Sequence, residues 1–281
     1  MLEILEHAKT MAILRLASSQ IAGPALEDAL RVCRYVLETG RFATLSPWRL
    51  PGQTALDLGM EYSKALTAVL DRQMHLNLSI KPGDLDYDAG HISELASMAK
   101  GKVGIHFDAQ DPDGAGPSIA LLESLRSEYN GLGCTLPARW NRSFVDAERA
   151  IALRLTVRVV KGQWLDRAES ASDCRKSFLE LVEVLAGRAK KVLVATHDAP
   201  LARAAMSILK QSGTEYEAEQ MLGLPPIVDH SDAGDAPIRI YVPYGHPYLP
   251  YRISDVRQRP AIAAWVLKDL FLKKRWSINT F

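Results

Sequence analysis

The sequence predicts a (β/α)8 TIM-like barrel, an α/β fold built as a single domain, from three observations. Short β-branched runs alternate with segments of helical apolar spacing along the 281 residues. Eight such runs are present, and a chain of this length suits one barrel. Several runs also end in polar residues, which would converge on one barrel mouth: Lys81, Asp108, Lys161, His197 and Tyr244.

The eight predicted strands are separated by helical or turn-forming segments. They span residues 43–46, 76–81, 103–108, 134–136, 155–161, 192–197, 215–218 and 238–243. The run at 215–218 is the weakest, because its side-chain alternation alone would not indicate a strand. Without it the chain would also suit an open doubly wound sheet, and the polar strand ends favour the barrel.

Helical apolar spacing recurs between these strands, and no long linker or internal repeat divides the chain. The segments that show it most clearly are 25–37, 55–70, 118–125, 178–185 and 201–209. One domain is therefore expected over 1–281, with N-terminal helices within 1–40. Residues 224–237, rich in proline and acidic side chains, are expected to form an exposed loop.

Composition and charge limit the partners that the protein is expected to bind and the cellular compartment in which it is expected. Lysine and arginine number 34 against 33 acidic residues, so no nucleic acid partner is indicated. Cys33, Cys134 and Cys174 lack CxxC spacing and are odd in number, which favours a reducing cytoplasm over a disulfide framework. Residues 1–17 mix apolar and charged side chains and predict an amphipathic helix, so no integral membrane segment is expected.

Five motifs in order along the chain carry the residues that are candidates for chemistry. They read LSIK at 78–81, FDAQ at 107–110, RVVKGQW at 158–164, ATHD at 195–198 and IRIYVPYGHPYLPYRISDVRQRPAIAAW at 238–265. Each is short and moderately specific, but their order and spacing together resemble the proline dehydrogenase family over nearly the whole chain.

The resemblance implies an FAD-dependent oxidoreductase that oxidises an amine carbon–nitrogen bond to an imine by hydride transfer to the flavin. In the family, the arginine that matches Arg158 lies against the reactive nitrogen, where a cation stabilises the reduced flavin. The Thr-His pair that matches Thr196 and His197 meets its phosphate-proximal side. The implied cofactor-binding residues are Ala109, Thr135, Arg158, Val160, Lys161, Gly162, Gln163, Thr196, His197, Asp198 and Glu219.

The resemblance also implies a catalytic set and a substrate set. The family lysine that matches Lys81 assists the substrate carboxylate, and the aspartate that matches Asp108 sits beside the flavin and the active-site tyrosine. Taken alone, these two residues would equally suit a buried ion pair, and Arg158 an internal salt bridge. The implied catalytic residues are Lys81, Asp108, Tyr241 and Tyr251, and the substrate-binding residues are Trp164, Met221, Ser254 and Asp255, with 249–281 as substrate helix and tail.

Departures from the family pattern concern substrate and cofactor. Ser254 and Asp255 stand where the family has two adjacent arginines that bind the substrate carboxylate, and Asp255 would repel an anion. Pro137 replaces a glutamine that bonds the flavin, and Glu219 replaces a glutamine near the adenosine side. The expected substrate is therefore a cyclic or secondary amine whose carboxylate is absent or masked, including one tethered to a carrier, with a quinone or oxygen as electron acceptor.

Two alternatives stay within the family. An ordinary L-proline dehydrogenase, which yields pyrroline-5-carboxylate, would anchor its substrate through Lys81 with Arg252 or Arg257. A non-catalytic, flavin-free descendant would keep only the scaffold.

A third alternative is a metal-dependent barrel hydrolase. His106 and Asp108 lie two apart on one predicted strand, and His197 and Asp198 end another. The other histidines show no metal-ligand spacing, so no metal site is expected.

Overall fold

The computed structural model of the chain describes residues 20–99, 101–162, 174–224 and 236–246. Its strands, numbered in chain order, are β1 (Phe42–Trp48), β2 (Asn77–Ile80), β3 (Gly104–Phe107), β4 (Leu132–Pro137), β5 (Thr156–Val160), β6 (Lys191–Ala195), β7 (Tyr216–Met221) and β8 (Ile238–Gly245). Neighbouring strands pair in parallel, and β1 pairs with β8 to close the ring. The predicted (β/α)8 barrel is confirmed, and the open doubly wound sheet is wrong.

Helices surround the barrel; the first precedes β1, and the others lie between successive strands. They are α1 (Leu26–Glu38), α2 (Ala55–Asp71), α3 (Ala89–Ala99), α4 (Ala115–Leu125), α5 (Arg142–Ala152), α6 (Cys174–Leu185) and α7 (Ala199–Gln211). Each buries one face, as α6 does with Phe178, Leu181, Val182 and Leu185 at helical spacing. At the start of α2, Thr54 and Asp57 form a reciprocal capping box, which satisfies backbone donors that the helix leaves unpaired.

The two faces of the strands have opposite chemistry. Alternate residues such as Ile80, Phe107 and Val159 are buried and apolar, and they form the core between the barrel and the helices. The intervening positions point into the barrel, where buried polar residues are concentrated: Ser46, Ser79, His106, Arg158, Glu217, Glu219 and Arg239. Buried charges of this kind are stable only when paired, so the interior is organised by ion pairs.

One such pair lies at the amino ends of the strands, away from the mouth. Arg239 donates from Nε to Glu217 Oε2 at 2.6 Å and from Nη1 to the carbonyl oxygen of Ala43 at 2.7 Å. Lys191 also pairs with Glu217. This cluster links the starts of four strands and has a structural role.

The strand predicted at 215–218 is present as β7, shifted to Tyr216–Met221. The sequence indicates this strand only weakly, because two of its inward positions, Glu217 and Glu219, carry charged side chains. Residues 1–19, 225–235 and 247–281 lie outside the described part, and with them most of the expected loop and the expected substrate helix. Among the described residues, no helix is long and apolar enough to cross a membrane.

Candidate active site

Asp108 is the centre of a hydrogen-bonded cluster at the carboxyl ends of the strands. Its Oδ1 accepts from Ser79 Oγ at 2.6 Å and from Arg158 Nη1 at 2.5 Å. Its Oδ2 accepts from the Tyr241 hydroxyl at 2.7 Å and lies 3.1 Å from Lys81 Nζ. One carboxylate therefore joins residues carried by β2, β5 and β8 to the end of β3.

Arg158 lies between two carboxylates in the barrel interior. It donates from Nε to Glu219 Oε2 at 2.6 Å and from Nη2 to Glu219 Oε1 at 2.9 Å, while Nη1 binds Asp108. The Glu219 side chain is 2% exposed and that of Arg158 is 5% exposed. The guanidinium carbon is also 5.1 Å from the centroid of the Tyr241 ring. This two-point geometry fixes the orientation of the guanidinium.

Tyr241, Ser46 and Lys81 form a chain of hydrogen bonds beside Asp108. The Tyr241 oxygen lies 2.7 Å from both Asp108 Oδ2 and Ser46 Oγ, and Lys81 Nζ donates to Ser46 Oγ at 3.2 Å. Tyrosine has a single hydroxyl hydrogen and an ionised carboxylate can only accept, so that hydrogen belongs to the Asp108 bond. The Ser46 hydroxyl hydrogen is then available to the Tyr241 oxygen.

The charges in the cluster overcome the effect of burial. Burial alone would raise the pKa of Asp108, but Lys81 and Arg158 hold it far below its ordinary value. Burial alone would lower the pKa of Lys81, but Tyr241 and Asp108 raise it; Glu219 and Asp108 do the same for Arg158. Burial and Asp108 raise the pKa of Tyr241. At neutral pH, Asp108 is thus ionised and Tyr241 is a neutral phenol.

The outer rim of the mouth carries a second group of charges. Asp198 Oδ2 lies 3.0 Å from Lys161 Nζ and 2.7 Å from Arg175 Nη1. Asp198 Oδ1 also accepts from the backbone N–H of Leu201, which caps α7. Burial would raise the pKa of Asp198, but the bond from Lys161 lowers it. Two cations share one carboxylate here, which leaves this group with a formal positive charge.

The donor set and the backbone at this mouth fit FAD. Gly162 has φ +88°, and a Cβ there would lie 2.8 Å from the Pro137 Cβ, so only glycine leaves this turn open. The buried Nε of Arg139, on the segment that packs against the turn, has no hydrogen-bond partner among the residues that the structure describes. A cation at the centre, an open turn and a positive rim at a helix N-terminus suit a planar cofactor that carries phosphates.

Most of the predicted catalytic and cofactor residues lie together at this mouth. Lys81, Asp108, Tyr241 and Arg158 form the central cluster, and Lys161, Gly162, Thr196, His197 and Asp198 follow β5 and β6 at the rim. Ala109 and Thr135 line an open cleft that Asp108 also lines. Other predicted residues lie at the ends of strands or outside the described part: Val160 and Met221 end β5 and β7, while Gln163, Trp164, Tyr251, Ser254 and Asp255, with Arg252 and Arg257, are outside it.

Hydrogen bonds describe the positions of three predicted cofactor-binding residues in more detail. Glu219, expected near the adenosine side, lies in the barrel interior with both carboxylate oxygens on Arg158, because its position on β7 points inward. His197 Nε2 accepts from the backbone N–H of Met221 at 3.2 Å. Thr135 Oγ1 accepts from Arg158 Nη1 at 3.3 Å.

Sequence reasoning missed Ser46, Ser79 and Tyr62. Tyr62, from α2, accepts the backbone N–H of Lys81 at 3.1 Å and is fully buried. Ser79 precedes Lys81 by two residues, and the backbone stays extended at Lys81 just after β2, so alternation places both on one face. That spacing was the available signal for Ser79, whereas the role of Tyr62 depends on packing between distant segments.

No metal centre emerges in the part of the chain that the structure describes, where no three His, Cys, Asp or Glu residues are placed to hold an ion. His106 Nε2 lies 3.2 Å from Thr135 Oγ1, and burial and Arg158 hold the pKa of His106 well below its ordinary 6.5. Both oxygens of Asp108 already bind neighbouring side chains. This geometry gives no support to a metal-dependent hydrolase.

Comparison with known proteins finds relatives whose sequences match most of this chain. No family model matches the sequence. "Proline dehydrogenase 1" of Bacillus subtilis (strain 168) is 24% identical over 271 residues, which cover 90% of each chain. This chain is similar to proline dehydrogenases. "Proline dehydrogenase 2" of the same organism is 21% identical over 228 residues, 76% of this chain and 75% of that one.

Solved structures of proline utilization A (PutA) share the fold. PutA from Bdellovibrio bacteriovorus, inactivated by N-propargylglycine, matches 95% of this chain with a TM-score of 0.72 and 16% identity. PutA from Corynebacterium freiburgense matches 95% with a TM-score of 0.65 and 17% identity. This chain spans only about a third of those proteins, 34% and 32%. The proline dehydrogenase relatives bear out the expected class of protein, an FAD-dependent oxidoreductase.

Proposed function

We propose that the protein is an FAD-dependent dehydrogenase that oxidises the carbon–nitrogen bond of a small cyclic or secondary amine whose carboxylate is absent or masked. FAD, when bound, supplies the hydride acceptor. The substrate carbon next to nitrogen loses a hydride and the nitrogen loses a proton, which leaves a C=N bond. A quinone or oxygen would then receive the electrons.

The pairing of charges at the mouth carries the substrate part of this proposal. Lys81 is paired with Asp108, and Arg158 is paired with Asp108 and Glu219. With Glu219 included, the formal charges of the central cluster therefore sum to zero. A carboxylate that entered the site would compete with two carboxylates already bound to these cations. Ser254 and Asp255, in place of an arginine pair, add no positive charge.

Lys81 suits a neutral acceptor on the substrate. Its ammonium group has three hydrogens, and Asp108 and Ser46 take two of them. The remaining donor and the 19% exposure of the side chain fit one hydrogen bond to the carbonyl oxygen of an amide or ester. A carboxyl group joined to a carrier through an amide or ester bond offers Lys81 the same carbonyl oxygen.

Asp108 acts as a positioning residue in this proposal. Lys81 and Arg158 hold its pKa far below the ordinary range, which makes it a poor general base. Its four bonds instead fix Lys81, Arg158 and Tyr241 relative to one another. Arg158 then presents its charge where a reduced flavin becomes negative.

An ordinary L-proline dehydrogenase is the second candidate. The similarity to "Proline dehydrogenase 1" of Bacillus subtilis, over 90% of both chains, favours it. The substrate carboxylate would then bind through Lys81 together with Arg252 or Arg257.

Anaerobic flavin reduction tests both candidates. The protein, purified and supplied with FAD, should show a bound-flavin spectrum that pyrrolidine, L-proline amide or L-proline methyl ester bleaches faster than L-proline at equal concentration. These compounds share one ring, so the carboxyl group is the variable. A protein that takes up no FAD would contradict the proposal and favour a flavin-free descendant, whereas faster bleaching by L-proline would favour the second candidate.

A further inference from the structure

Glu219 is a buried acid in the middle of the site that takes no part in the proposed hydride or proton transfer. It lies at an inward position of β7, its side chain is 2% exposed, and Arg158 binds both of its oxygens at 2.6 and 2.9 Å. The other inward acid on the same strand, Glu217, pairs with Arg239 and Lys191 at the opposite end of the barrel. The two acids lie on the same strand and are similarly buried, but Glu219 contacts the cluster at the barrel mouth and Glu217 contacts the cluster at the opposite end of the barrel.

Asp108 already supplies Arg158 with one counterion. The guanidinium Nη1 binds Asp108, and the opposite edge, Nε and Nη2, binds Glu219. A charge this well buried acts strongly on its neighbours, because little water screens it. With Glu219 present, Arg158 and its two carboxylates carry a net formal charge of minus one before Lys81 is counted; without Glu219 they carry zero.

We propose that Glu219 is the counterion that offsets the charge of Arg158 and thereby lowers the reduction potential of a flavin bound at the barrel mouth. The inference rests on the proposed function, and it assigns Glu219 as a positioning residue that acts through Arg158. A cation near the reactive nitrogen favours the reduced, negatively charged flavin, and a carboxylate behind that cation reduces the effect. The flavin then passes its electrons on more readily.

The matched pair Glu219→Gln and Glu217→Gln tests this role. Glutamine keeps the size of the side chain and one acceptor oxygen but removes the charge. In the FAD-loaded protein, Glu219→Gln should raise the midpoint potential of the flavin. It should also tighten the binding of sulfite, a probe of oxidised flavin, by about tenfold or more. Glu217→Gln should leave both values unchanged. A Glu219→Gln protein with the potential and sulfite affinity of the parent would overturn the role of Glu219.

Two further variants separate charge from shape. Glu219→Asp keeps the charge and should keep the potential of the parent; a shift as large as that of Glu219→Gln would overturn the proposal. In an Arg158→Met background, the buried acid has lost its cation and is stable only in its neutral form, so adding Glu219→Gln should hardly change the potential. A full shift in that background would show that Glu219 does not act through Arg158.

The same measurements separate this inference from the proposed function. A yellow protein whose amine oxidation proceeds while Glu219→Gln leaves the potential unchanged would sink only the inference. A protein that binds no added FAD would sink both.

Discussion

Lys81 and Asp108 form a 3.1 Å ion pair at the barrel mouth, and the carboxylate of that pair also binds Arg158. Asp108 is 12% exposed and therefore bridges two cations with little help from water. Removing one partner of such a buried group costs more than the pair itself contributes, because the remaining charge is left uncompensated. Substitutions in this cluster should therefore change stability and chemistry together.

Replacing Arg158 with Met should make the flavin harder to reduce and slow turnover, because the charge is lost while the side-chain length is roughly kept. It should also lower the free energy of unfolding by about 3–5 kcal/mol, since Glu219 loses its cation. Potentiometry and urea unfolding measure the two effects. Arg239→Met, in the ion pair at the opposite end, should destabilise the protein without changing the potential. An unchanged potential in Arg158→Met would make Arg158 a structural charge only.

His106 should make stability depend on pH below neutrality. Burial and Arg158 hold its pKa well below 6.5 in the folded protein, whereas in the unfolded chain it titrates near 6.5. As the pH falls below about 6.5, the unfolded chain binds a proton that the folded protein refuses, so stability is lost at up to ~1.4 kcal/mol per pH unit. His106→Gln should remove this slope in urea unfolding between about pH 6 and 5. Equal slopes in the parent and the variant would refute the assignment.

A control separates His106 from the remaining histidines. His75 is exposed, so His75→Gln should leave the slope of the parent in place. A slope that disappears in both variants would indicate an indirect effect on the unfolded chain.

Periodicity predicted the barrel but could not predict its interior. The outward faces of the strands are apolar, as at Ile80 and Phe107, and these gave the strand signal. On β7 the inward acids Glu217 and Glu219 interrupt that signal, which is why the strand was the weakest prediction. Their partners, Arg239 and Arg158, lie 22 and 61 residues away in sequence.

The central residues of the site could be proposed from sequence because Lys81 and Asp108 each follow a strand in a recognisable motif, and Arg158 and Tyr241 lie on strands in such motifs. Ser46 and Tyr62 could not, since each acts through a contact with a distant segment: Ser46 with Tyr241, and Tyr62 with the backbone of Lys81. Serines and tyrosines occur throughout soluble proteins, both exposed and buried, so neither residue type indicates a site by itself.

Removing His197 should weaken FAD retention more than it slows the chemistry. His197 Nε2 accepts the backbone N–H of Met221, so His197→Ala leaves that donor unpaired between the ends of β6 and β7. FAD affinity should fall by about tenfold, while the rate of flavin reduction at saturating FAD changes little. Titration with FAD and stopped-flow reduction give the two values. Full flavin retention, together with loss of a metal-dependent hydrolysis, would instead support the hydrolase alternative.

The last prediction concerns substrate choice. The family resemblance implies that Ser254 and Asp255 stand where proline dehydrogenases carry a two-arginine fork; on that alignment the formal charge goes from plus two to minus one, three units against an anionic substrate. Lost partners of a desolvated charge typically cost ~2–5 kcal/mol, or about one to three decades in binding, so free L-proline should reduce the flavin poorly. L-Proline methyl ester should reduce it faster under the same anaerobic conditions. Arginines introduced at both positions should shift the preference toward proline, with Asp255→Asn as a one-unit intermediate. Rapid reduction by millimolar L-proline in the unmodified protein would rule out the masked carboxylate and leave an ordinary proline dehydrogenase with an unusual anchor.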